Sequence, residues 1–127
     1  MTQDALAQLA DAKYLSLETF RKTGVGVRTP VWFAQEPGRS ILYIYSEADA
    51  GKVKRIRNNP RVRVAPCSFR GEVRGEWVDS RARICDGNEV AHGQQLLRRK
   101  YGWQKMLGDL FSRLLRHQTV MLAIELS

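Results

Sequence analysis

Five cations fall within eleven residues in Gly51-Lys52-Val53-Lys54-Arg55-Ile56-Arg57-Asn58-Asn59-Pro60-Arg61. The run follows directly on a strand-like segment, Ile41-Leu42-Tyr43-Ile44-Tyr45-Ser46. A strand that empties into a glycine and then a short basic helix brings free backbone N–H groups and cationic side chains to one point. The N–H groups and the helix dipole both favour an anion there, so the chemistry on offer is phosphate binding. The same run also reads as a solvated basic turn, as many charge runs do.

Other chemistries find little support. Gly51-Lys52 is not a nucleotide-binding P-loop, because Ser46 stands where its first glycine belongs and Val53 where the Mg²⁺-binding hydroxyl belongs. No GxGxxG opens a helix after a strand, and no GxSxG elbow occurs. His92 and His117 stand apart on basic helical stretches and read as solvated or capping residues. Cys67 and Cys85 are too few for a disulfide framework, match no zinc spacing and read as small buried hydrophobes.

The chain has 127 residues, 43% hydrophobic and 27% charged, which is ordinary for one globular domain with a single core. Its net charge of +8 and isoelectric point near 10.0 are not ordinary. They call for an anionic partner: nucleic acid, an acidic membrane, or a phosphorylated or polycarboxylate small molecule. The first residues precede no long apolar run and no stretch reaches the ~20 apolar residues of a membrane span, so a reduced, cytoplasmic protein is expected.

The elements that must position the basic run are mostly strands. A helix is expected over Asp4 to Lys13 and an alternating strand over Tyr14 to Phe20, with Leu15, Leu17 and Thr19 on one face. Arg21 to Gly24 forms a turn. Val25 to Ala34 alternates again, with Val25, Val27, Thr29, Val31 and Phe33 on one face. Pro30 inside it lacks a ladder donor, which puts that strand at an edge or a bulge. Glu36-Pro37-Gly38-Arg39 suits a type II turn. Further strands are expected at 41–46, 61–65 (interrupted by Pro66), 72–85 as one long bent strand, and 119–126.

Two helices lie between the last two strands. One runs from an Asp86/Glu89 capping box to Tyr101, with Gly102 as its C-cap. The other, 103–117, carries an apolar stripe of Trp103, Leu107, Leu110, Phe111 and Leu114 that suits packing on the barrel better than a membrane surface. Six antiparallel strands with helices predict a mainly β fold, a small barrel with helical decoration. Nucleic-acid binding on such a barrel would use exposed aromatics interleaved with cations. Here Tyr43, Tyr45, Trp32 and Phe33 sit in apolar strands instead, which makes that partner the weaker reading.

Three segments together resemble a known family: Tyr14 to Gly24 (YLSLETFRKTG), Val27 to Phe33 (VRTPVWF), and Gly51 to Val62 (GKVKRIRNNPRV). Val64-Ala65-Pro66-Cys67, Gly71, Gly75 and Lys100-Tyr101-Gly102 extend the likeness. The chain resembles the pyridoxamine-phosphate-oxidase-like split β-barrel superfamily, in its short branch of F420-dependent enzymes. That resemblance implies a homodimer of six-stranded antiparallel split barrels with two cofactor sites at the subunit interface. The cofactor would be the deazaflavin F420 or, in sister branches, FMN.

By the same resemblance Thr29, Pro30, Val31 and Trp32 would line the ring plane, largely through backbone. Tyr45 and Ser46 would lie near the ribityl chain and phosphate. Lys52 matches the family's phosphate-binding lysine, with Lys54, Arg55 and Arg57 as neighbours, and Arg70 and Trp77 would approach from either subunit. The C-terminus lacks the basic substrate-phosphate residues of true pyridoxamine-phosphate oxidases, so vitamin B6 oxidation is not expected. The expected activity is an F420H2-dependent reductase, with an FMN-dependent oxidoreductase or a non-enzymatic flavin, tetrapyrrole or nucleic-acid binding module as alternatives.

Overall fold

The computed structural model describes residues 2–102 and 119–126. Among these residues there are seven strands: β1 (Tyr14–Phe20), β2 (Gly26–Val31), β3 (Ala34–Gln35), β4 (Ile41–Glu47), β5 (Arg61–Cys67), β6 (Val78–Ile84) and β7 (Thr119–Leu126). Three helices accompany them: α1 (Thr2–Leu9), α2 (Gly51–Asn58) and α3 (Asn88–Tyr101). Every pairing is antiparallel, in the order β2-β1-β5-β6-β7-β4-β3. The fold is a mainly β, antiparallel split barrel.

The count of seven rather than six comes from one place. The strand expected over 25–34 breaks at Trp32-Phe33 into β2 and β3, which sit at opposite ends of the sheet order. One short stretch of chain therefore joins both edges and rolls the sheet up. At the break the Tyr101 hydroxyl replaces the ladder: it accepts from Phe33 N–H at 3.0 Å and lies 3.0 Å from the Phe33 carbonyl. Pro30 sits opposite Ser16 in β2, an edge strand, as its missing donor requires.

Inside the barrel, Leu15, Leu17, Phe33, Leu42, Ile44, Val62, Val64, Leu122 and Ile124 form one core. A second cluster lies between the outer face of β4–β7 and α3, built from Tyr43, Cys85, Leu96, Leu97, Met121 and Ala123. Helix α2 buries Val53 and Ile56. Both cysteines are free and buried, as expected.

The expected element ends are corrected in three places. β5 runs through Pro66 to Cys67, because the Pro66 carbonyl accepts from Arg74 N–H at 2.8 Å. A strand residue's nitrogen and oxygen face the same side, so the missing donor points away from β1 and no ladder bond is lost. The long strand expected over 72–85 is only β6; Glu72 to Trp77 is a loop apart from a single bridge, Cys67 to Val73. Gln8 holds that loop by accepting from Glu76 N–H at 3.0 Å and donating to Glu76 O at 2.9 Å.

Third, α1 ends at Leu9 rather than Lys13. The Asp86/Glu89 capping box does not form either: Gly87 caps α3 without a side-chain bond, and Glu89 pairs with Arg83 instead. The helix expected over 103–117 lies outside the described residues. Among those described, no helix is long and apolar enough to cross a membrane.

Candidate functional site: the first turn of α2

β4 delivers the chain into α2, whose N-cap is Ala50, with no side chain able to accept from the first-turn N–H groups. The Ala50 carbonyl accepts from Val53 and Lys54 N–H, which starts the helix by backbone alone. Arg55 then folds back along its own helix. Its Nε donates to Thr19 Oγ1 at 2.6 Å. A Cβ added at Gly51 would stand 2.8 Å from an Arg55 guanidinium nitrogen, so glycine is what leaves room for it.

That guanidinium is unusual in its electrostatics. Burial first, and the neighbouring Arg21 second, push its pKa below the ordinary arginine value. Among the described residues no carboxylate stands within ion-pair distance of it. A partly desolvated cation beside an uncapped helix N-terminus is short of one thing, an anion. The donor set therefore fits a phosphate group, and the fit rests on Thr19 and Gly51 as much as on the cations themselves.

The other residues expected at the site are distributed around it. Lys52 is partly buried and has an interaction of its own, while Lys54 and Arg57 are exposed. Arg57 lies in the last turn, about 9 Å along the axis from Gly51. Ser46 is buried on the inner face of β4, and its hydroxyl donates to Glu47 O at 3.1 Å. Tyr45 packs with the outer cluster; burial raises its pKa against a hydrogen bond to Gln94.

Thr29, Pro30, Val31 and Trp32 do not present four side chains to one plane. Thr29 is paired opposite Leu17, Pro30 is exposed and Val31 belongs to the inner core. Trp32 stacks on Tyr101 with centroids 5.0 Å apart and planes 16° from parallel. Backbone is what this stretch offers a ligand. Arg70 is exposed in the loop after β5, whose Gly71 lies beside the Pro30 ring. Trp77 is covered by two guanidinium groups, Arg28 at 4.5 Å and Arg63 at 5.0 Å from its ring centroid.

Beneath that pair lies Glu18, 5% exposed, with Arg28 Nε at 3.0 Å and Arg63 at 3.3 Å. Sequence reasoning missed Thr19 and Glu18 as contributors. A signal existed for Thr19, a hydroxyl on the face of Leu15 and Leu17. Glu18 carried none, because its alternation with Leu17 and Thr19 is what a solvated face would also show.

No family profile and no curated protein matches the chain. Solved structures do share its fold. A candidate pyridoxamine 5'-phosphate oxidase from Listeria innocua is 14% identical, with a TM-score of 0.67 over 99% of this chain and 93% of that one. HutZ, a haem storage protein from Vibrio cholerae, is 13% identical, with a TM-score of 0.71 over 98% of this chain and 89% of that one. A candidate 5-nitroimidazole antibiotic resistance protein from Bacteroides thetaiotaomicron is 13% identical, with a TM-score of 0.64 over 98% and 84% of the two chains. At these identities the shared property is the split β-barrel itself.

Proposed function

We propose that this chain is an F420H2-dependent reductase, acting as a homodimer, that passes a hydride to an unsaturated or quinone-like small molecule. The observation that carries this reading is the Arg55 guanidinium, pinned by Thr19 against the uncapped first turn of α2 with no acidic partner among the described residues. A phosphodiester is the anion that would complete it. Arg55, the Gly51 backbone and Lys52 would hold that group. The backbone from Pro30 to Trp32, along the open edge of β2 and just past its end, would lie along the ring. A net charge of +8 suits a coenzyme whose tail is polyglutamate.

When bound, the deazaflavin supplies hydride chemistry, which is why no nucleophile or metal cluster is required of the protein. The chain's own task is to hold ring and acceptor face to face and keep water out. FMN on the same scaffold is the second reading, favoured by the same site because its phosphate presents the same anion. The two separate by behaviour: a protein that purifies yellow with FMN supports the second reading.

The test is titration of the apoprotein with F420, FMN and haem, followed by fluorescence and by the haem absorption band. F420 should bind, and Arg55→Met or Lys52→Ala should weaken it by about tenfold, the worth of one charge-assisted contact. Haem binding without either flavin, or unaltered F420 affinity in both variants, rejects the proposal.

A further inference from the structure

We propose that Lys100 is the group that meets the acceptor's oxygen and gives it a proton as the hydride arrives. This rests on the hydride-transfer reading above and assigns its proton donor. Lys100 stands in the last turn of α3, with Nζ 3.3 Å from the centroid of the Phe33 ring and 5.2 Å from that of Tyr101. Among the described residues no carboxylate pairs with it.

The bed beneath it is rigid. Phe33 is 1% exposed and its N–H donates to the Tyr101 hydroxyl, which itself donates to Lys13 O at 2.6 Å, while the Tyr101 ring stacks on Trp32. An ammonium resting on ring faces is attracted by their quadrupoles but keeps its N–H donors available. It also sits where β2 gives way to β3, one residue from Trp32, the last of the backbone positions expected along the coenzyme ring. A cation with unspent donors, at the split of the barrel, is what a developing oxyanion needs.

Lys100 as a whole is exposed, but desolvation, with its amine end packed on the two rings, pushes its pKa down to about 8. Such a group is charged at neutrality yet gives up its proton readily, as a general acid should. Among the described residues, Tyr101 of α3 lies beside it with its own pKa raised to about 12, by burial first and with Tyr14 of β1 adding to the rise, and Phe33 carries no titratable group. A bound deazaflavin would supply the hydride. As it adds to the acceptor's β-carbon, the C=C pair would move toward the carbonyl carbon and the C=O pair onto oxygen. The Lys100 Nζ–H bond would break as the new O–H bond forms, and the neutral amine would regain its proton from water.

The test reads ligand binding to the protein without coenzyme. 4-Nitrophenol, whose phenolate mimics the oxyanion, is compared with 4-nitroanisole, which has no charge to offer. The wild type should prefer the phenolate by about tenfold, one charge-assisted hydrogen bond, and lose that preference as pH rises past about 8. Lys100→Met should abolish the preference, and Lys100→Arg should keep it with its pH midpoint removed. In the wild type, saturating 4-nitrophenol should protect Lys100 from reductive methylation, read by peptide mass, so the proposal stays testable should Lys100→Met fail to fold. Equal affinity for the two probes, or methylation of Lys100 unaffected by the phenolate, overturns the assignment. F420 titration of the same Lys100→Met protein should give wild-type affinity; a phenolate preference in a protein that binds no F420 or FMN would reject the coenzyme reading and leave the oxyanion subsite standing.

Discussion

Arg55 and Thr19 are joined by a 2.6 Å hydrogen bond that ties the basic helix to the inner face of β1. Thr19 is fully buried, so its hydroxyl has no water to turn to, and Arg55 cannot leave without orphaning it. The bond turns a mobile side chain into a fixed part of the α2 first turn.

Thr19→Val keeps the branched shape and removes only the acceptor. We expect a loss of about 1.5–3 kcal/mol in urea denaturation, the usual worth of a bond to a charged group, together with weaker F420 binding. Unchanged stability and unchanged affinity would mean that Arg55 is held by something else.

Glu18 sits in a row of alternating charge across four strands, Arg28–Glu18–Arg63–Asp79, in direct register. Its carboxylate pairs with Arg28 and Arg63, whose guanidinium groups lie over the Trp77 ring. Glu18→Gln leaves two guanidinium groups facing each other over one indole. Because both arginines keep some solvent access, we expect about 1–3 kcal/mol of destabilisation rather than the full cost of a buried broken pair. Trp77 fluorescence should shift to the red as the stack loosens; an unmoved spectrum at wild-type stability would show the row to be inert.

Gly75→Ala tests the loop after β5. A Cβ there would lie 2.6 Å from the Pro66 ring and 2.6 Å from Gln8 Oε1. The proline ring cannot rotate aside, so the loop must lift and give up the Gln8 clamp on Glu76. We expect a loss of about 1–3 kcal/mol and faster amide exchange at Glu76. Exchange at the wild-type rate would show that the loop absorbs the methyl without moving.

The acid limb of stability should depend on Glu89. Hydrogen bonding to Arg83 first, with weaker help from Cys85 and Tyr43, holds its carboxyl below the ordinary value of 4.5. A depressed folded pKa means that the contribution is complete above 4.5 and disappears as pH falls through the lower folded value. Glu89→Gln should therefore lower thermal stability at neutral pH and flatten its fall in acid. A variant whose melting temperature drops with acid as steeply as the wild type would contradict this.

Period-two alternation was enough to place β1 and β7 at their observed ends, because burial on one face of a strand is written in every second residue. Gly38 at φ +74° and Gly102 at φ +87° were equally legible, since each turn demands a backbone that other residues resist. The basic helix behind β4 was visible as a charge run with two apolar positions, Val53 and Ile56. Pro66 misled, because a proline reads as a strand breaker until one knows which side its nitrogen faces. The strand over 72–85 misled because alternation continues into a loop held by Gln8, 68 residues away.

What the chain's order of residues determined was local: which stretches extend, which coil, where they turn, and that cations gather in the helix behind β4. Only the tertiary structure decided that a tyrosine 68 residues downstream would stand in for a ladder at Phe33, that Thr19 would hold Arg55 across 36 residues, and that Lys100 would rest on an aromatic bed at the split. Periodicity and turn preference act between neighbours along the backbone. Partners so distant meet only because closing the barrel brings them together, and their pairing leaves no trace in the spacing of either one.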